Sequence, residues 1–309
     1  MLLIRGAYMP VATIHRMVRL LAFLLAASLA DGQSAQPAVQ TEPLKADDIM
    51  ARVAANQDRS EALRKEYVYK QHIHIATHKK SRMMREEAAD YDVVPLPDGT
   101  QKQLKSLTGR YWNKDKYVDF QGDPGPVAGS ADKDVIHHLR NHEPVPDDSR
   151  TDAALIRNLR NNLLNDESKD GLARDLFPLT SEEQKDYEFK LLGKEVEAGR
   201  NVYHIAFAPK DTAEPTWAGE AFIDAEEFQP VRVFTKMSQR LPFLVRTMWF
   251  DLPGFGFNVV YQRQEDGVWF PSSFGTEFHM QFGAKFFSNR DISIALKNSG
   301  FEHPHVETR

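Results

Sequence analysis

The sequence of 309 residues contains no cysteine. Disulfide scaffolds, thiol chemistry and cysteine-based zinc sites are therefore excluded. The sequence also lacks the Gly-x-Ser-x-Gly elbow of many serine hydrolases and a glycine-rich loop ending in Gly-Lys-Ser/Thr. Without these motifs the sequence gives no evidence for a serine hydrolase or for an enzyme with a phosphate-binding loop. We expect a non-catalytic protein that needs no cofactor.

Long apolar runs are missing as well, except for one short run near the N-terminus. Arg16 and Arg19 precede an apolar stretch over 20–27, and small residues follow up to Ala30. A basic start, a short apolar run and small residues are typical of a secretory signal peptide. The run is shorter than the roughly 20 residues that span a bilayer. We expect cleavage near Ala30, with either Met1 or Met17 as the start, and a periplasmic or secreted product without a transmembrane segment.

Positive charge is in deficit. The formal net charge is −5, and it becomes −8 without residues 1–30, because that segment carries three arginines and no acidic residue. Nucleic acid is therefore not an expected partner, and an anionic membrane is a poor one for so acidic a chain.

Two segments have helical patterns. Residues 44–66 place Ile49 and Val53 on one face, with Asp47 or Asp48 as the predicted cap, since a carboxylate accepts from free backbone N–H groups. Residues 151–176 repeat leucine and isoleucine at spacings of three and four, with a start at Thr151 or Asp152.

The rest of the mature chain is dominated by strand patterns. From Tyr67 the apolar period changes to two, and from Tyr187 onward short strands alternate with tight turns such as Asp266-Gly267. Proline and glycine interrupt 121–150, which we interpret as a long functional or mobile loop. The predicted fold is α+β and mainly antiparallel β. The predicted domains are a signal peptide at 1–30, a flexible lead at 31–43 and a single domain over 44–309.

Histidines and paired acids are the polar candidates for chemistry. His72 and His74 fall on the same side of one strand and form a weak metal candidate, but that side also carries Lys70, so a solvated strand face is the simpler interpretation. Carboxylate pairs such as Glu86-Glu87 are attributed to solubility and helix capping, and no metal site is predicted.

Aromatic residues are concentrated in the strand-rich half. One interpretation is an ordinary core, and the other is a pocket for an apolar ligand. The candidate pocket residues are the following: Trp217, Phe222, Phe234, Trp249, Phe250 and Phe278.

Three segments carry a resemblance to a known family. They are GRNVYHI at 199–205, GEAFID at 219–224 followed by FQPVRV at 228–233, and DGVWFP at 266–271. The chain from Gly199 to about Ile294 resembles the LolA/LolB-type superfamily of outer-membrane lipoprotein-sorting proteins. The resemblance implies a strongly curved, half-open β-barrel covered by an N-terminal helix and a mid-chain helical insertion.

The same resemblance implies a carrier of an acyl chain, a lipoprotein or another apolar ligand. The chain departs from the family in the loop at 121–150 and in the region at 151–176, and we expect one of these two segments to act as a lid. Two alternatives remain open at this point. One is an envelope sensor or protein-binding module with a filled core, and the other is a metal-dependent hydrolase that uses His72 and His74.

Overall fold

The computed structural model describes residues 44–96, 99–122, 148–164, 177–211, 217–237, 256–280 and 289–304. The predictions for the signal peptide, the flexible lead, most of the loop at 121–150, the helical region beyond 164 and the residues Trp249 and Phe250 lie outside these ranges. Residues Leu44–Arg309 form one compact unit.

Two α-helices and eleven strands make up the described unit. Helix α1 is Ala46–Arg64 and helix α2 is Asp148–Leu163, and a short 3-10 helix covers Glu183–Asp186. The strands, in chain order, are β1 Val68–Lys79, β2 Arg82–Leu96, β3 Gly99–Asn113, β4 Lys116–Gln121, β5 Tyr187–Glu197, β6 Arg200–Pro209, β7 Trp217–Asp224, β8 Pro230–Met237, β9 Gly256–Arg263, β10 Trp269–Met280 and β11 Arg290–Glu302. Neither helix is long and apolar enough to span a membrane.

All eleven strands form one antiparallel sheet in the order β4-β3-β2-β1-β11-β10-β9-β8-β7-β6-β5. The chain starts at β1 in the interior of the sheet and winds out to the edge strand β4. It then crosses to the opposite edge at β5 and winds back until β11 pairs with β1. Helix α2, which belongs to the described part of this connection, packs on the sheet at β1, β2 and β3.

The sheet has an inner face that the helices cover and an outer face that carries most of the charge. Directly opposite residues of an antiparallel pair point to the same side, so the pairing assigns every side chain to a face. On β1, Ile73 and Ile75 are buried on the inner face, whereas Lys70 and His72 are exposed on the outer one. Residues of both helices join the inner-face residues in a single apolar core.

Helix α1 packs its apolar stripe on the inner face. Ile49, Met50 and Val53 are almost completely buried. Its N-cap is Lys45, not the predicted Asp47 or Asp48, and these acids instead lie in the first turn. There they favour the helix through its dipole.

The predicted fold class, mainly antiparallel β with an open sheet covered by an N-terminal and a mid-chain helix, is confirmed. Three boundaries differ from the prediction. Helix α2 begins at Asp148 and not at Thr151 or Asp152. The sequence pattern starts a strand at Gly109 and separates a strand over 268–270 from one over 273–282. In the structure β3 begins at Gly99, ten residues earlier, and β10 runs unbroken through Pro271 because a register shift at that point accommodates the proline.

Candidate functional site

The described members of the predicted pocket do not share one face. Trp217 and Phe278 point inward, since their cross-strand partners lie in the inner-face rows of β8 and β11. Phe222 and Phe234 point outward, on the side of Glu220 and Arg232. Phe222 is nevertheless buried, because the His204 ring stacks on it at 4.4 Å and the Arg232 guanidinium lies 4.5 Å from its centroid.

Inward-pointing aromatic rings form a row across several strands. The ring of Trp217 on β7 meets Phe257 on β9 at 5.1 Å, and Phe257 stacks on Phe274 of β10 at 5.1 Å. On the other side of Gly219, Tyr187 of the edge strand β5 contacts Phe207 at 6.0 Å. Trp217, Phe257 and Tyr187 are only partly buried, whereas Phe207 and Phe274 are buried, so the row has partly exposed rings at several points.

Gly219 explains why the row can form at β7. A methyl group at this position would overlap the Phe234 carbonyl oxygen and would lie 2.9 Å from Cζ of Phe207. Only glycine therefore lets strand β8 and the Phe207 ring approach β7 so closely.

A cavity of about 530 Å³ opens at one end of the aromatic row. It lies between the start of α1 and the edge strand β5, and it has mixed polar and aromatic walls. Its lining residues are Asp47, Gln184, Tyr187, Glu188, Phe189 and Lys210. Because Tyr187 belongs to both the cavity and the row, the cavity gives solvent a path to the first ring of the row.

Helix α2 is attached to the inner face by buried ion pairs. The guanidinium of Arg290 on β11 donates from Nε and from an Nη atom to the two carboxylate oxygens of Asp152, at 2.8 and 3.0 Å. Both side chains are 1% exposed. This fork-to-fork geometry fixes the position of the helix precisely enough to set its rotation on the sheet.

A second buried cluster holds the C-terminal half of α2. Glu87 on β2 accepts from Arg85 at 2.6 Å and from Arg160 of the helix at 2.8 Å. The Arg85 guanidinium also lies 4.4 Å from the centroid of Phe120 on β4. A Cβ atom at Gly109 would lie 2.5 Å from Cζ of Phe120, so glycine at that position leaves room for the ring.

The buried ion pairs of these five charged residues were not predicted from the sequence. The pair Glu86-Glu87 was attributed to solubility and capping, and that interpretation is wrong for Glu87, which is 4% exposed on the inner face. The sequence did contain a signal for their burial. Arg85 and Glu87 continue the same every-second-residue pattern as the apolar Ala89, Tyr91 and Val93, so all five side chains point to the same face of the strand. Charged residues at inward positions of a strand indicate a buried partner.

The three segments behind the family resemblance meet at one end of the sheet. Arg200 bonds to Asp224 at 2.8 Å and lies 5.0 Å from the ring of Trp269. The Trp269 indole N–H donates to Glu227 at 3.0 Å. The segments are therefore joined by direct contacts, although they are up to 70 positions apart in the sequence.

Asp224 organises the turn at this end. Burial alone would raise its pKa, but the backbone N–H of Glu227, the Arg200 guanidinium and the backbone N–H of Glu226 outweigh burial, and the pKa is lowered. The Asn56 amide of α1 donates to the carbonyl oxygens of Glu227 and Phe228 at 2.8 and 3.2 Å. The turn thus also positions the first helix.

The outer-face histidines are held by carboxylates. His72 bonds to Asp90 at 2.7 Å, and His74 contacts Glu86 at 3.3 Å. Ser106 donates to the same Asp90, and its hydrogen bond and that of His72 lower the pKa of the carboxyl. Asp90 stands between the serine and the histidine, so the imidazole cannot take the serine proton as in a hydrolase triad. Within the described ranges no group of three or more histidine or acidic side chains is arranged to hold a metal.

No family model and no curated protein matches the chain. Among solved structures, the chain is similar to a domain inferred to belong to an outer membrane lipoprotein-sorting protein of Vibrio parahaemolyticus (13% identity, 83% of this chain and 94% of that chain, TM-score 0.35). It is also similar to LolA superfamily protein NE2245 of Nitrosomonas europaea (9%, 84% and 94%, TM-score 0.33) and to the MucA/MucB complex of Pseudomonas aeruginosa (10%, 82% and 94%, TM-score 0.21). The superfamily suggested by the sequence is thus represented among these structures. At such identities the likeness concerns the fold alone.

Proposed function

We propose that the protein binds an apolar ligand, such as a lipid or a lipoprotein acyl chain, between the inner face of the sheet and the helices that cover it. The exported chain would act as a carrier in the periplasm. The observation that carries the proposal is the row of partly buried aromatic rings on the inner face, which the cavity reaches at Tyr187.

Buried ion pairs suit a cover that has to open. Desolvating two charges costs about as much as their attraction returns, so such pairs specify a position without contributing much net stability. A helix held only by interlocking apolar side chains would lose far more on leaving the sheet. Helix α2 therefore has a closed position that its ion pairs define, and it also buries Ala154, Leu155 and Ile156 in the apolar core. Its opening as a lid would break the ion pairs and expose these three residues.

The aromatic row offers the surface that an acyl chain would contact. Trp217 and Phe257 are partly buried, and the 530 Å³ cavity leads to the row at Tyr187. Burial of an acyl chain there would be driven by about 25 cal/mol for each Å² of apolar area removed from water. Phe278 lies on the same face beside Ile292.

The test is lipid binding by the exported chain, its Trp217→Ala variant and its Phe234→Ala variant. Phe234 is a matched control, since it is a large aromatic residue of the same sheet that is 42% exposed on the outer face. We expect lipid to co-purify in native mass spectrometry and a fluorescent fatty acid to bind. Trp217→Ala should weaken that binding by roughly tenfold or more, as for loss of an aromatic anchor, and Phe234→Ala should leave it unchanged. Absence of bound lipid together with no fatty-acid uptake would refute the proposal.

A second candidate, a protein-binding module, is favoured by the edge strand β5. Among the described strands, β5 pairs with β6 on one side and has no partner on the other. Its Leu192 is 46% exposed and its Val196 is 69% exposed. An extended peptide can add to such an edge through main-chain hydrogen bonds. Lys190 and Lys194 on the same strand act against it, because charged residues protect edges from pairing. Val196→Lys should abolish peptide binding if the module is correct and should leave fatty-acid binding intact if the carrier is correct.

A further inference from the structure

Two hairpin turns at one end of the sheet gather basic residues. The β1–β2 turn and the β3–β4 turn lie side by side, because β2 begins where β3 ends in the paired register. We call this region the basic tip and define it by the following residues: Lys79, Lys80, Arg82, Trp112, Lys114, Asp115, Lys116 and Tyr117. It has five basic residues and one acidic one in a chain whose overall charge is negative.

Aromatic rings lie directly behind these charges. Trp112 and Tyr117 face each other across β3 and β4 with ring centroids 5.0 Å apart, and Tyr117 is 42% exposed. The guanidinium of Arg82 lies 4.6 Å from the centroid of Trp112, which joins the two hairpins. Trp and Tyr combine an apolar body with a polar edge and prefer the headgroup region of membranes.

The two turns also place lysine where the backbone favours glycine. Lys80 has φ 57° and Lys114 has φ 58°, in the left-handed region that side chains disfavour. Glycine would relieve this strain at both positions, so the lysines are not there for the stability of the turns. Unfavourable backbone conformations that persist in this way are a reason to look for a function.

We propose that the basic tip docks the protein on an anionic lipid surface. The lysines would meet the headgroup phosphates while Trp112 and Tyr117 sit at the interface. Hairpin ends are convex, and a convex tip suits a broad planar partner better than a peptide, which needs a groove or a free edge. The acidic neighbours are Asp115 in the tip, Asp119 on β4 and Asp291 on β11. Of these, Asp291 is already bonded to His279 at 2.7 Å.

This inference does not depend on lipid carriage inside the sheet. It also corrects what the bulk charge implied, because an average over the chain conceals a local excess of positive charge. Attraction to an anionic surface acts over about one Debye length, so the tip can bind even though the remainder of the molecule is acidic.

The experiment measures binding of the exported chain to vesicles of phosphatidylglycerol and phosphatidylcholine, compared with phosphatidylcholine alone. The test variant is Lys80→Gly with Lys114→Gly. We expect its affinity for anionic vesicles to fall about 25-fold, at roughly fivefold for each lysine, while its thermal stability stays equal or rises.

Two control variants distinguish the effect of removing positive charge from the effect of relieving backbone strain. Ala198→Gly relieves a similar φ of 50° at the β5–β6 turn without changing charge, and it should leave vesicle binding unchanged. Lys190→Gln with Lys236→Gln removes the same charge from exposed positions on β5 and β8 and should have little effect. Binding of the original chain should weaken with added salt, and its tryptophan emission should shift to the blue in a way that Trp112→Phe removes.

Several outcomes would overturn the proposal. One is no preference for anionic vesicles, and another is an equal loss of binding in the Lys190/Lys236 control. A third is equally strong binding to a soluble acidic polymer or acidic peptide, which would identify the partner as a polyanion or a protein and not a bilayer.

Discussion

At the scale of single residues, the contacts of His204 favour the protonated form of its ring. Its Nδ1 contacts Glu195 at 2.6 Å and its Nε2 contacts Glu220 at 2.8 Å, so the ring joins β5, β6 and β7 on the outer face. A neutral imidazole has a single N–H and can donate to only one carboxylate. Burial lowers the pKa of His204, but the hydrogen bonds and charges of Glu220 and Glu195 outweigh it, and the pKa is raised above 6.5.

This shift predicts a stability that depends on pH. Because the folded pKa lies above the unfolded one, the contribution is complete below pH 6.5 and is lost as the pH rises through the folded pKa. We expect His204→Gln to destabilise the protein by roughly 0.5–1 kcal/mol at low pH, as for a partly exposed ion pair. The free energy of unfolding should be measured for both proteins from pH 5.5 to 9. A difference that does not shrink toward high pH would show that the ring acts only by packing.

A second residue-scale prediction concerns Gly219. Substitution by alanine should force β8 and the Phe207 ring away from β7, and we expect a loss of about 1–3 kcal/mol in the free energy of unfolding. Gly193→Ala on the edge strand is the control, because a methyl group there would meet nothing within 4 Å. Chemical denaturation of the two variants gives the comparison, and equal stability would mean that the strands at Gly219 move apart without cost.

At the scale of elements, the sequence predicted strands and helices well wherever one face was apolar. The alternation from Tyr67 onward indicates β1, and the Asp266-Gly267 pair indicates the turn before β10. The first half of β3 was not predicted, because Gln101, Lys102 and Gln103 show no apolar alternation. That half exists because its backbone pairs with β2, which is a tertiary effect.

The candidate site was less predictable than the strands for a related reason. The sequence shows which side chains of a strand point to the same side. It does not show which side of the sheet the helices cover. Phe222 and Phe234 are aromatic residues of the strand-rich half, as Trp217 is. They differ from it in the face of the sheet to which their side chains point. One of the ion pairs that hold α2 connects Asp152 with Arg290 across 138 positions, and a local sequence pattern cannot predict a contact between residues so far apart.

The attachment of α2 yields a prediction at the same scale. Asp152→Ala removes a bidentate carboxylate from a guanidinium that is 1% exposed, and we expect a cost of about 3–5 kcal/mol. The double variant Asp152→Leu with Arg290→Met replaces the pair with apolar side chains of similar volume and should recover most of that loss. A double-mutant cycle by chemical denaturation checks the coupling. Additive losses would show that the ion pair does not hold the helix.

The lid hypothesis makes the same variants informative for binding. The double variant should close α2 over the sheet through apolar contacts, which cost more to break than the ion pair. We therefore expect fatty-acid uptake to become slower while the fold remains stable. Faster uptake would show instead that the charge pair keeps the helix shut.

At the scale of the whole molecule, the sheet depends on the pairing of the first strand with the last. Strand β11 lies between β1 and β10, so among the described strands it is the one that pairs the four-strand part ending at β4 with the six-strand part ending at β5. It also supplies Ile292, Ile294 and Leu296 to the core. Because these contacts join residues more than 200 positions apart, the sheet cannot be completed until the whole chain is available.

Removal of this strand tests whether the sheet is one cooperative unit. A chain that ends before Arg290 leaves β1 and β10 with unpaired inner edges and takes away the partner of Asp152. We expect it not to give the sharp unfolding transition of the full chain, whereas a chain that ends after Pro304 retains every described strand and should keep that transition. Addition of a peptide spanning 290–302 should restore it, since the peptide supplies both the backbone pairing and the arginine. Sharp unfolding of the shortened chain without the peptide would show that the two parts of the sheet fold independently, and that helix α2 stays attached without the Arg290 ion pair.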